Sequence, residues 1–325
     1  MAAFEFRTIA PQERDAVLDL LRDWLGDRAF FARYFEHDPE FRDDLCFVAT
    51  DRGRIVSTLQ VFRKAVRMQG VVLQVGGVGN VFTAAEYRER RLASELLTHA
   101  VAAMDAHGFD LSLLFAVRLG FYGRHGWQSH VRHLVFIPPA PIAATGPYRI
   151  EPFTAADLPA VMQLYDSYNA TLSGSTVRDQ RYWQGQLQCA GNPHEDFLVA
   201  HDGGAIVAYA RGTSLYDFYV IMEHAYRPGY ADALAQLVCR LHGSEAARFP
   251  GTITQLAIDP TVQAQLQDRG LDLRSVDDVF WMWRVISRPR LAAKLGMRPS
   301  DLDGDDLFFR LLPPLQSVYW IADRF

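Results

Sequence analysis

The sequence predicts an α/β (α+β) protein built from two copies of one domain, followed by a short C-terminal tail. Three observations lead to this prediction. Strand and helix patterns alternate along the chain, a strand–turn–strand motif occurs twice, and a proline-rich segment lies between the two occurrences. Each copy is expected to form a mixed, twisted sheet flanked by helices.

Length and composition are those of an ordinary globular protein. The 325 residues suffice for about two domains, and 49% are hydrophobic against 22% charged. The net charge of −5 disfavours a nucleic-acid partner, and no apolar run approaches the ~18 residues of a membrane span. Cys46, Cys189 and Cys239 are too widely spaced for a disulfide framework or a zinc site. We therefore expect free thiols, no metal, no signal peptide and a cytoplasmic location.

The internal repeat divides the chain. The segment "FVATDRGRIVS" (47–57) returns as "LVAHDGGAIVA" (198–208), each reading as two strands around a tight turn. The match extends in both directions along the chain, and "PPAPIAATGP" has the composition of a linker. The predicted divisions are a first domain over 1–137, a linker over 138–147, a second domain over 148–287 and a tail over 288–325.

Within the first domain the elements follow from local patterns. A short strand and helices come first, followed by a hairpin over 46–66 and a long strand, "VVLQVGGVGNVF", over 71–82. Leu92, Leu96, Leu97 and Ala100 then share one face of a helix that begins at Arg91. "DLSLLFAV" is continuously apolar, as expected of a strand buried on both faces.

The start of this helix carries Arg88, Arg90 and Arg91, although a helix N-terminus disfavours cations. The arrangement fits an anion site, in which a pyrophosphate neutralises the arginines and meets the free N–H groups. The alternative is a solvated basic patch paired with the neighbouring glutamates 86, 89 and 95. In the preceding strand, "GGVGN" (76–80) indicates a bulge or a close approach of a ligand to the backbone.

Here the chain resembles the GNAT superfamily of acetyl-CoA-dependent N-acetyltransferases. The resemblance rests on "VFTAAEYRERRLASELL" and "LLFAVRLGFYGRHGW". It implies acetyl-CoA as cofactor, held by Val78, Asn80, Val81, Phe82, Arg88, Glu89, Arg90, Arg91, Leu92, Ala93 and Ser94. Ala85 replaces a common proline, and Arg91 stands where the first loop glycine is expected. A non-glycine residue there requires a helical rather than a left-handed backbone.

The same resemblance assigns Tyr122 in "GFYGRHGW" as the general acid. A phenol of pKa ~10 can protonate a leaving thiolate of pKa ~8.5. The alternative is a core tyrosine packed with Phe121 and Trp127, and the neighbouring His125 is expected at the surface. In the second copy Leu266 occupies the position of Tyr122 and the arginine cluster is missing. The sequence therefore predicts one active site, in the first domain.

An acidic and aromatic segment, "FFARYFEHDPEFRDD" (30–44), suits a cationic amine through charge pairing and cation–π contact. Its candidate acceptor-binding residues are Phe31, Tyr34, Glu36, His37 and Asp38, with Glu36 also a candidate general base. The alternative is an exposed acidic segment whose aromatic rings pack inward.

The chain end provides a second candidate base. Two tandem domains followed by a C-terminal piece resemble the enhanced-intracellular-survival acetyltransferases, in which a terminal carboxylate enters the first active site. The segment "SVYWIADRF" is too apolar for a frayed end, so it could deliver the carboxylate of Phe325. That family carries a third domain, whereas only a 38-residue tail follows the second copy here.

The predicted function is transfer of acetyl from acetyl-CoA to the primary amine of a small molecule by direct attack. An open acidic pocket would equally admit a peptide amine. The alternative is a non-catalytic module that binds or senses acyl-CoA. A scaffold that binds neither ranks last. Because GNAT proteins are often dimers or larger, the resemblance also allows a homo-oligomer.

Overall fold

The computed structural model describes residues 4–189, 195–245 and 248–325. The first part of the chain holds β1 (Glu5–Thr8), α1 (Arg14–Leu25), α2 (Arg28–His37), β2 (Cys46–Asp51), β3 (Arg54–Met68), β4 (Val71–Thr83), α3 (Leu92–Ala106), β5 (Leu111–Phe115), α4 (Leu119–Gly123), β6 (Gln128–Ser129) and β7 (Arg132–Ile137). The hairpin, the long strand and the arginine helix are confirmed, with α3 beginning one residue after Arg91.

The second part repeats this order. It holds β8 (Arg149–Pro152), α5 (Leu158–Asn169), α6 (Gln180–Cys189), β9 (Asp196–Asp202), β10 (Ala205–Leu215), β11 (Phe218–Tyr226), α7 (Ala231–Glu245), β12 (Thr252–Thr254), α8 (Pro260–Asp268), β13 (Arg274–Asp278) and β14 (Trp281–Val285). The tail adds α9 (Arg288–Leu295) and α10 (Leu307–Leu311).

Two mixed sheets form within the described residues, each with seven strands. The first has the order β1-β2-β3-β4-β5-β14-β6 and the second β13-β7-β12-β11-β10-β9-β8. In each sheet one pair is parallel, β4 with β5 and β11 with β12, and the other pairs are antiparallel. Helices packed on the sheets give the predicted α/β class.

The two sheets exchange a strand, which corrects the boundaries predicted at residues 137 and 287. β7 pairs with β12 and β13 in the second sheet, while β14 pairs with β5 and β6 in the first. The apolar β5 therefore has a neighbour on each side, which protects an edge that would otherwise expose unpaired N–H and C=O groups. Local patterns identify a strand but not the sheet that it joins.

The tail is not a separate unit, because its side chains complete both cores. Leu291, Phe308 and Leu311 pack with Val75 and Leu113 of the first sheet. Val318 and Trp320 pack with the core between α5 and the second sheet. The burial of these side chains fixes the path of the last residues across both domains. No helix among the described residues is both long and apolar enough to cross a membrane.

Candidate functional site

A wedge opens between β4 and β5, and it forms the centre of the site. The two strands are paired from Val75 and Leu111 to Val78 and Leu114. Beyond this point β4 continues beside β3 to Thr83, while Phe115 pairs with β14 and the amide of Ala116 donates to the carbonyl of Phe280. Ligands of α/β proteins commonly bind where neighbouring parallel strands diverge at their carboxyl ends.

A β-bulge lies at the mouth of the wedge. The pairing of β3 with β4 shifts between Thr58 and Gln60, and Asn80 adopts a left-handed φ of 52°. The side-chain amide Nδ2 of Asn80 donates to Gln60 Oε1 at 2.9 Å, and this bond holds the bulge in place. Val81 is partly buried toward α3, whereas Phe82 is buried toward α1 and α2. The bulge thus turns the backbone of two predicted cofactor residues into the wedge region.

The loop between β4 and α3 departs from the expectation for Arg91. Arg91 is not helical but left-handed, with φ of 61°, and Glu89 is left-handed at 66°. Each such residue costs about 1–2 kcal/mol relative to the right-handed conformation when it carries a Cβ. Arg91 thus adopts, with a side chain, a backbone conformation that favours glycine. Alternating backbone conformations of this kind aim successive N–H groups at one point.

The N-terminus of α3 is open in the manner of an anion site. Arg91 occupies the N-cap position and forms no side-chain cap, and the first helical bond runs from the Glu95 amide to the Arg91 carbonyl. The preceding amides therefore have no partner within the helix. The N-terminus of α3, which carries the positive end of the helix dipole, therefore faces the exposed arginines of the loop.

The guanidinium groups of this loop are not paired with the nearby glutamates. In the described chain, Arg88 donates to the carbonyl of Thr83 at 3.3 Å and Arg90 to that of Glu86 at 3.1 Å. The Glu86 carboxylate pairs instead with Arg54. Among the described residues, no ion pair joins these exposed arginines to glutamates 86, 89 or 95. Uncompensated arginines at open amides fit the pyrophosphate of an acyl-CoA in both charge and donor chemistry.

The other predicted cofactor residues differ in their placement. Leu92 is buried in the core beneath α3, so its side chain serves packing and only its backbone is available. Ala93 and Ser94 are partly buried, and Ser94 Oγ lies 3.2 Å from His125 Nε2. His125 is therefore partly buried rather than at the surface, and burial is the main cause that lowers its pKa.

Tyr122 lies on α4, on the same face of the sheet as α3. Its ring packs against Phe121 at 5.0 Å and Trp127 at 6.4 Å, and it joins the cluster that contains Val78. Burial raises the pKa of Tyr122 to about 12, against a small opposing effect of Arg118. The phenol therefore keeps its proton over the physiological range.

Phe325 lies on the opposite face of the sheet, directly against β4. A Cβ atom on Gly77 would be 2.4 Å from the ring of Phe325, and one on Gly79 would be 3.2 Å from it. The ring stacks on Phe62 at 5.2 Å and meets Phe115 at 5.7 Å. The glycines of "GGVGN" thus admit the chain's own tail at these two positions, and no ligand is needed to explain them. Gly76 faces the other way, toward Met104 of α3.

The predicted acceptor residues are only partly brought to this site. Phe31 is buried in the core between α1 and α2, and Glu36 points outward with its side chain 66% exposed, its ion-pair partner being His37 at 3.9 Å. Tyr34 and Asp38 turn inward instead. The Tyr34 ring is 5.9 Å from that of Phe62, and the Asp38 side chain is only 5% exposed. Glu36 lies on the outward face of α2, and its exposure to solvent therefore argues against a role as general base.

The structure adds functional candidates that sequence reasoning missed. A small cavity beside Tyr34 and Asp38 is also lined by Lys64, Tyr182, Gln186, Asp323 and Arg324. Arg324 stacks on Phe115 at 5.0 Å and donates to Tyr216 Oη at 3.1 Å. These residues come from both domains and the tail, so no local spacing groups them. The single signal in the sequence is the charge of Asp323 and Arg324 inside an apolar tail.

The corresponding opening of the second sheet is filled by side chains. Pairing of β11 with β12 ends at Ile221 and Thr254, after which the side-chain amide Nε2 of Gln255 donates to the carbonyl of Met222. His224 is buried, 2.9 Å from Asp259, and Trp320 of the tail packs on its ring. Leu266, at the position of Tyr122, is a core residue of α8.

Comparison with known proteins agrees with this arrangement. Residues 5–129 match the family model described as the acetyltransferase (GNAT) domain. A sequence search of curated proteins finds no significant match.

The fold itself is that of solved tandem structures. A GCN5-related N-acetyltransferase from Anabaena variabilis ATCC 29413 has a TM-score of 0.69 at 14% identity, covering 89% of this chain and 74% of that one. Eis1 from Mycobacterium abscessus has a TM-score of 0.60 at 15% identity, and the match covers 87% of this chain and 74% of that one. N-myristoyltransferase from Saccharomyces cerevisiae, with bound myristoyl-CoA, has a TM-score of 0.58 at 12% identity, and the match covers 87% of this chain and 82% of that one.

Proposed function

We propose that this protein, whose residues 5–129 form a GNAT acetyltransferase domain, transfers acetyl from acetyl-CoA to the primary amine of a small molecule. The observation that carries the proposal is the wedge between β4 and β5, with Tyr122 on one face of the sheet and Phe325 on the other. Two groups on opposite faces of one opening can serve the two proton transfers that direct attack requires.

The cofactor would be held by the arginine loop and the open end of α3. Arg88, Arg90 and Arg91 offer charge to the pyrophosphate, and the backbone from Glu89 to Ser94 offers N–H donors. The backbone of Val78 to Phe82 would line the arm that leads to the acyl group. When bound, acetyl-CoA supplies the acetyl thioester whose carbonyl carbon is attacked.

Tyr122 would hold a proton toward the departing thiolate. Its raised pKa of about 12 keeps the phenol protonated at neutral pH, so Tyr122 can donate a hydrogen bond to the departing sulfur as negative charge develops there. Full transfer to a thiolate of pKa ~8.5 is uphill for this phenol, so the released thiolate takes its final proton from solvent. The packing of Tyr122 against Phe121 and Trp127 restricts the ring to one orientation. Removing the hydroxyl therefore removes the acid and keeps the shape of the site.

On the other face, a carboxylate at Phe325 would take the proton of the incoming ammonium. A Cβ atom built on Gly79 would lie 3.5 Å from the main-chain oxygen of Phe325. This oxygen therefore lies at the wedge, beside the bulge. An alkylammonium has a pKa near ~10 and must lose a proton before it attacks. Tyr34 supplies an aromatic ring that suits a cationic acceptor, whereas the Asp38 carboxylate lies 3.8 Å from Lys64 Nζ and is already paired with it.

The test begins with calorimetric titration of the protein with acetyl-CoA. We expect about one equivalent per chain, with binding weakened at least ~tenfold in Arg88→Ala/Arg91→Ala because each lost charge-assisted bond is worth ~1.5–3 kcal/mol. Two equivalents would show that the second sheet also binds the cofactor. No binding would contradict the proposal.

Turnover separates the enzyme from a module that only senses acyl-CoA. A panel of small-molecule amines is screened by release of free thiol, with a lysine peptide as a second acceptor class. The Tyr122→Phe variant should lose ~10²–10⁴-fold in kcat with unchanged acetyl-CoA affinity. A protein that binds acetyl-CoA but acetylates neither class, with or without the phenol, is a sensor.

A further inference from the structure

The tail is held by a buried ion pair that the proposed chemistry has not used. Arg178, which precedes α6 in the second domain, donates from Nε to Asp323 Oδ1 at 2.9 Å and from Nη2 to Asp323 Oδ2 at 2.7 Å. Both side chains are fully buried, each with 0% of its surface exposed. Two parallel N–H···O bonds fix direction as well as distance, so Asp323 has one allowed position.

Arg178 is itself rigidly placed by the second domain. Its guanidinium also donates to the buried carboxylate of Glu223 on β11. It lies over the rings of Tyr165, at 4.1 Å, and Trp183, at 4.5 Å. A guanidinium confined by aromatic faces and two carboxylates cannot follow a displaced partner. The position of Asp323 is thus set by the core of the second domain.

The same carboxylate is tied to the first domain. Tyr182 Oη donates to Asp323 Oδ1 at 3.1 Å, and Lys64 Nζ donates to Tyr182 Oη at 2.9 Å. Lys64 lies on β3 two residues from Phe62, whose ring stacks on Phe325. The hydrogen-bonded chain therefore begins two residues before Phe325 and ends beside the ring against which Phe325 packs.

We propose that Arg178 is a positioning residue, which acts through Asp323 to hold Phe325 in the wedge between β4 and β5. The inference rests on the proposed function, because it gives the second domain a role in the reaction of the first. The second domain lacks an open wedge of its own, yet it supplies the anchor that aims the tail. Loss of either partner leaves an uncompensated buried charge, so the pair holds together as a unit.

The test compares two buried tyrosines of the second domain. Tyr182→Phe removes the hydroxyl that touches Asp323, whereas Tyr219→Phe removes a hydroxyl that donates to Asp196 at 2.8 Å in a separate core cluster. Each variant loses one oxygen atom and keeps its ring, so both are expected to fold. Asp323→Asn, which keeps the shape but not the charge, is the stronger variant and is interpreted only if it folds.

Three quantities are measured: hydrogen exchange of a peptide covering residues 318–325, affinity for acetyl-CoA, and kcat with the best amine. In Asp323→Asn, which breaks the carboxylate pair through which Arg178 acts, we expect faster exchange of that peptide, kcat reduced at least ~tenfold and acetyl-CoA affinity within ~twofold, because a displaced group loses rate rather than cofactor binding. Tyr182→Phe keeps both Arg178 bonds and should show a smaller change in the same direction. Tyr219→Phe should match the unsubstituted protein in all three.

The contrary outcomes are distinct. Unchanged tail exchange in folded Asp323→Asn, or in Tyr182→Phe where Asp323→Asn does not fold, overturns the role of Arg178, and so does the same rate loss in Tyr219→Phe. Faster tail exchange with unchanged kcat overturns the positioning role. Absence of turnover in the unsubstituted protein is seen before any variant is compared, and it overturns the proposed function together with this role.

Discussion

The ring of Phe325 lies on the bare backbone of Gly77, 248 positions earlier in the chain, with the site of a Cβ atom only 2.4 Å from the ring. Glycine at position 77 is therefore a condition for the tail to reach the wedge. The contact joins the last described residue to the strand that carries the β-bulge at Asn80. It makes the position of the tail testable by single methyl groups.

Gly77→Ala should displace the Phe325 ring. Overpacking of a closed core typically lowers the free energy of unfolding by about 1–3 kcal/mol. Because the displaced ring belongs to the tail, kcat should fall as well. Gly79→Ala, whose Cβ would lie 3.1 Å from Phe62 and 3.2 Å from Phe325, is the graded control with a smaller effect. Chemical unfolding and kcat are measured. In a Phe325→Ala background, Gly77→Ala should cost much less stability than in the unsubstituted protein, since the clash that the two residues share is gone.

The rate should not decline at alkaline pH through loss of the Tyr122 proton. Burial raises the pKa of Tyr122 to about 12, so the acid stays protonated up to about pH 10, where a tyrosine of ordinary pKa is already half ionised. The pH profile of kcat is measured between about pH 6 and pH 10.5. A fall centred near pH 10 in the unsubstituted protein, absent in Tyr122→Phe, would mean that the phenol titrates at its ordinary pKa.

Arg91 tests strain and charge separately. Arg91→Gly removes a left-handed Cβ and should raise the free energy of unfolding by about 1 kcal/mol, whereas Arg91→Ala keeps the unfavourable conformation and should leave it nearly unchanged. Both variants lose the guanidinium, so both should bind acetyl-CoA about tenfold more weakly. Equal stability of the two would show that the loop is not left-handed at position 91.

His130 should make the fold sensitive to acid. Its imidazole is 2% exposed against Phe309, and burial, followed by the nearby Arg132 and His133, lowers its pKa to about 4. A histidine whose folded pKa is depressed binds its proton more readily in the unfolded state. Stability is therefore complete above about pH 6.5 and is lost as the pH falls toward 4, by up to about 3 kcal/mol from this group.

Urea unfolding at about pH 7 and pH 4.5 measures this loss. His130→Gln should show a smaller difference between the two pH values than the unsubstituted protein. His133→Gln, at a more exposed neighbouring position paired with Asp277, is the matched control and should leave the difference nearly as it was. An unchanged difference in His130→Gln would assign the acid sensitivity to other groups.

The sequence by itself determined the secondary-structure elements and the position of the arginine-rich loop before α3. Hairpins, apolar strands and the α3 stripe are encoded within 10–20 neighbouring residues, at the periods that strands and helices impose, so their patterns could be recognised in one segment at a time. The internal repeat likewise predicted two α/β units. The arginines before α3 were legible because charge and a helix start coincide in one stretch.

Tertiary structure alone decided which strand joins which sheet, that β14 rather than β7 completes the first one, and that glycines 77 and 79 receive Phe325. It also decided that Glu36 faces outward while Asp38 turns in, and that Arg178 meets Asp323 across 145 positions of chain. Such contacts depend on the path of the whole backbone. A buried charge finds its partner through the packing of both domains, and no local spacing records that choice.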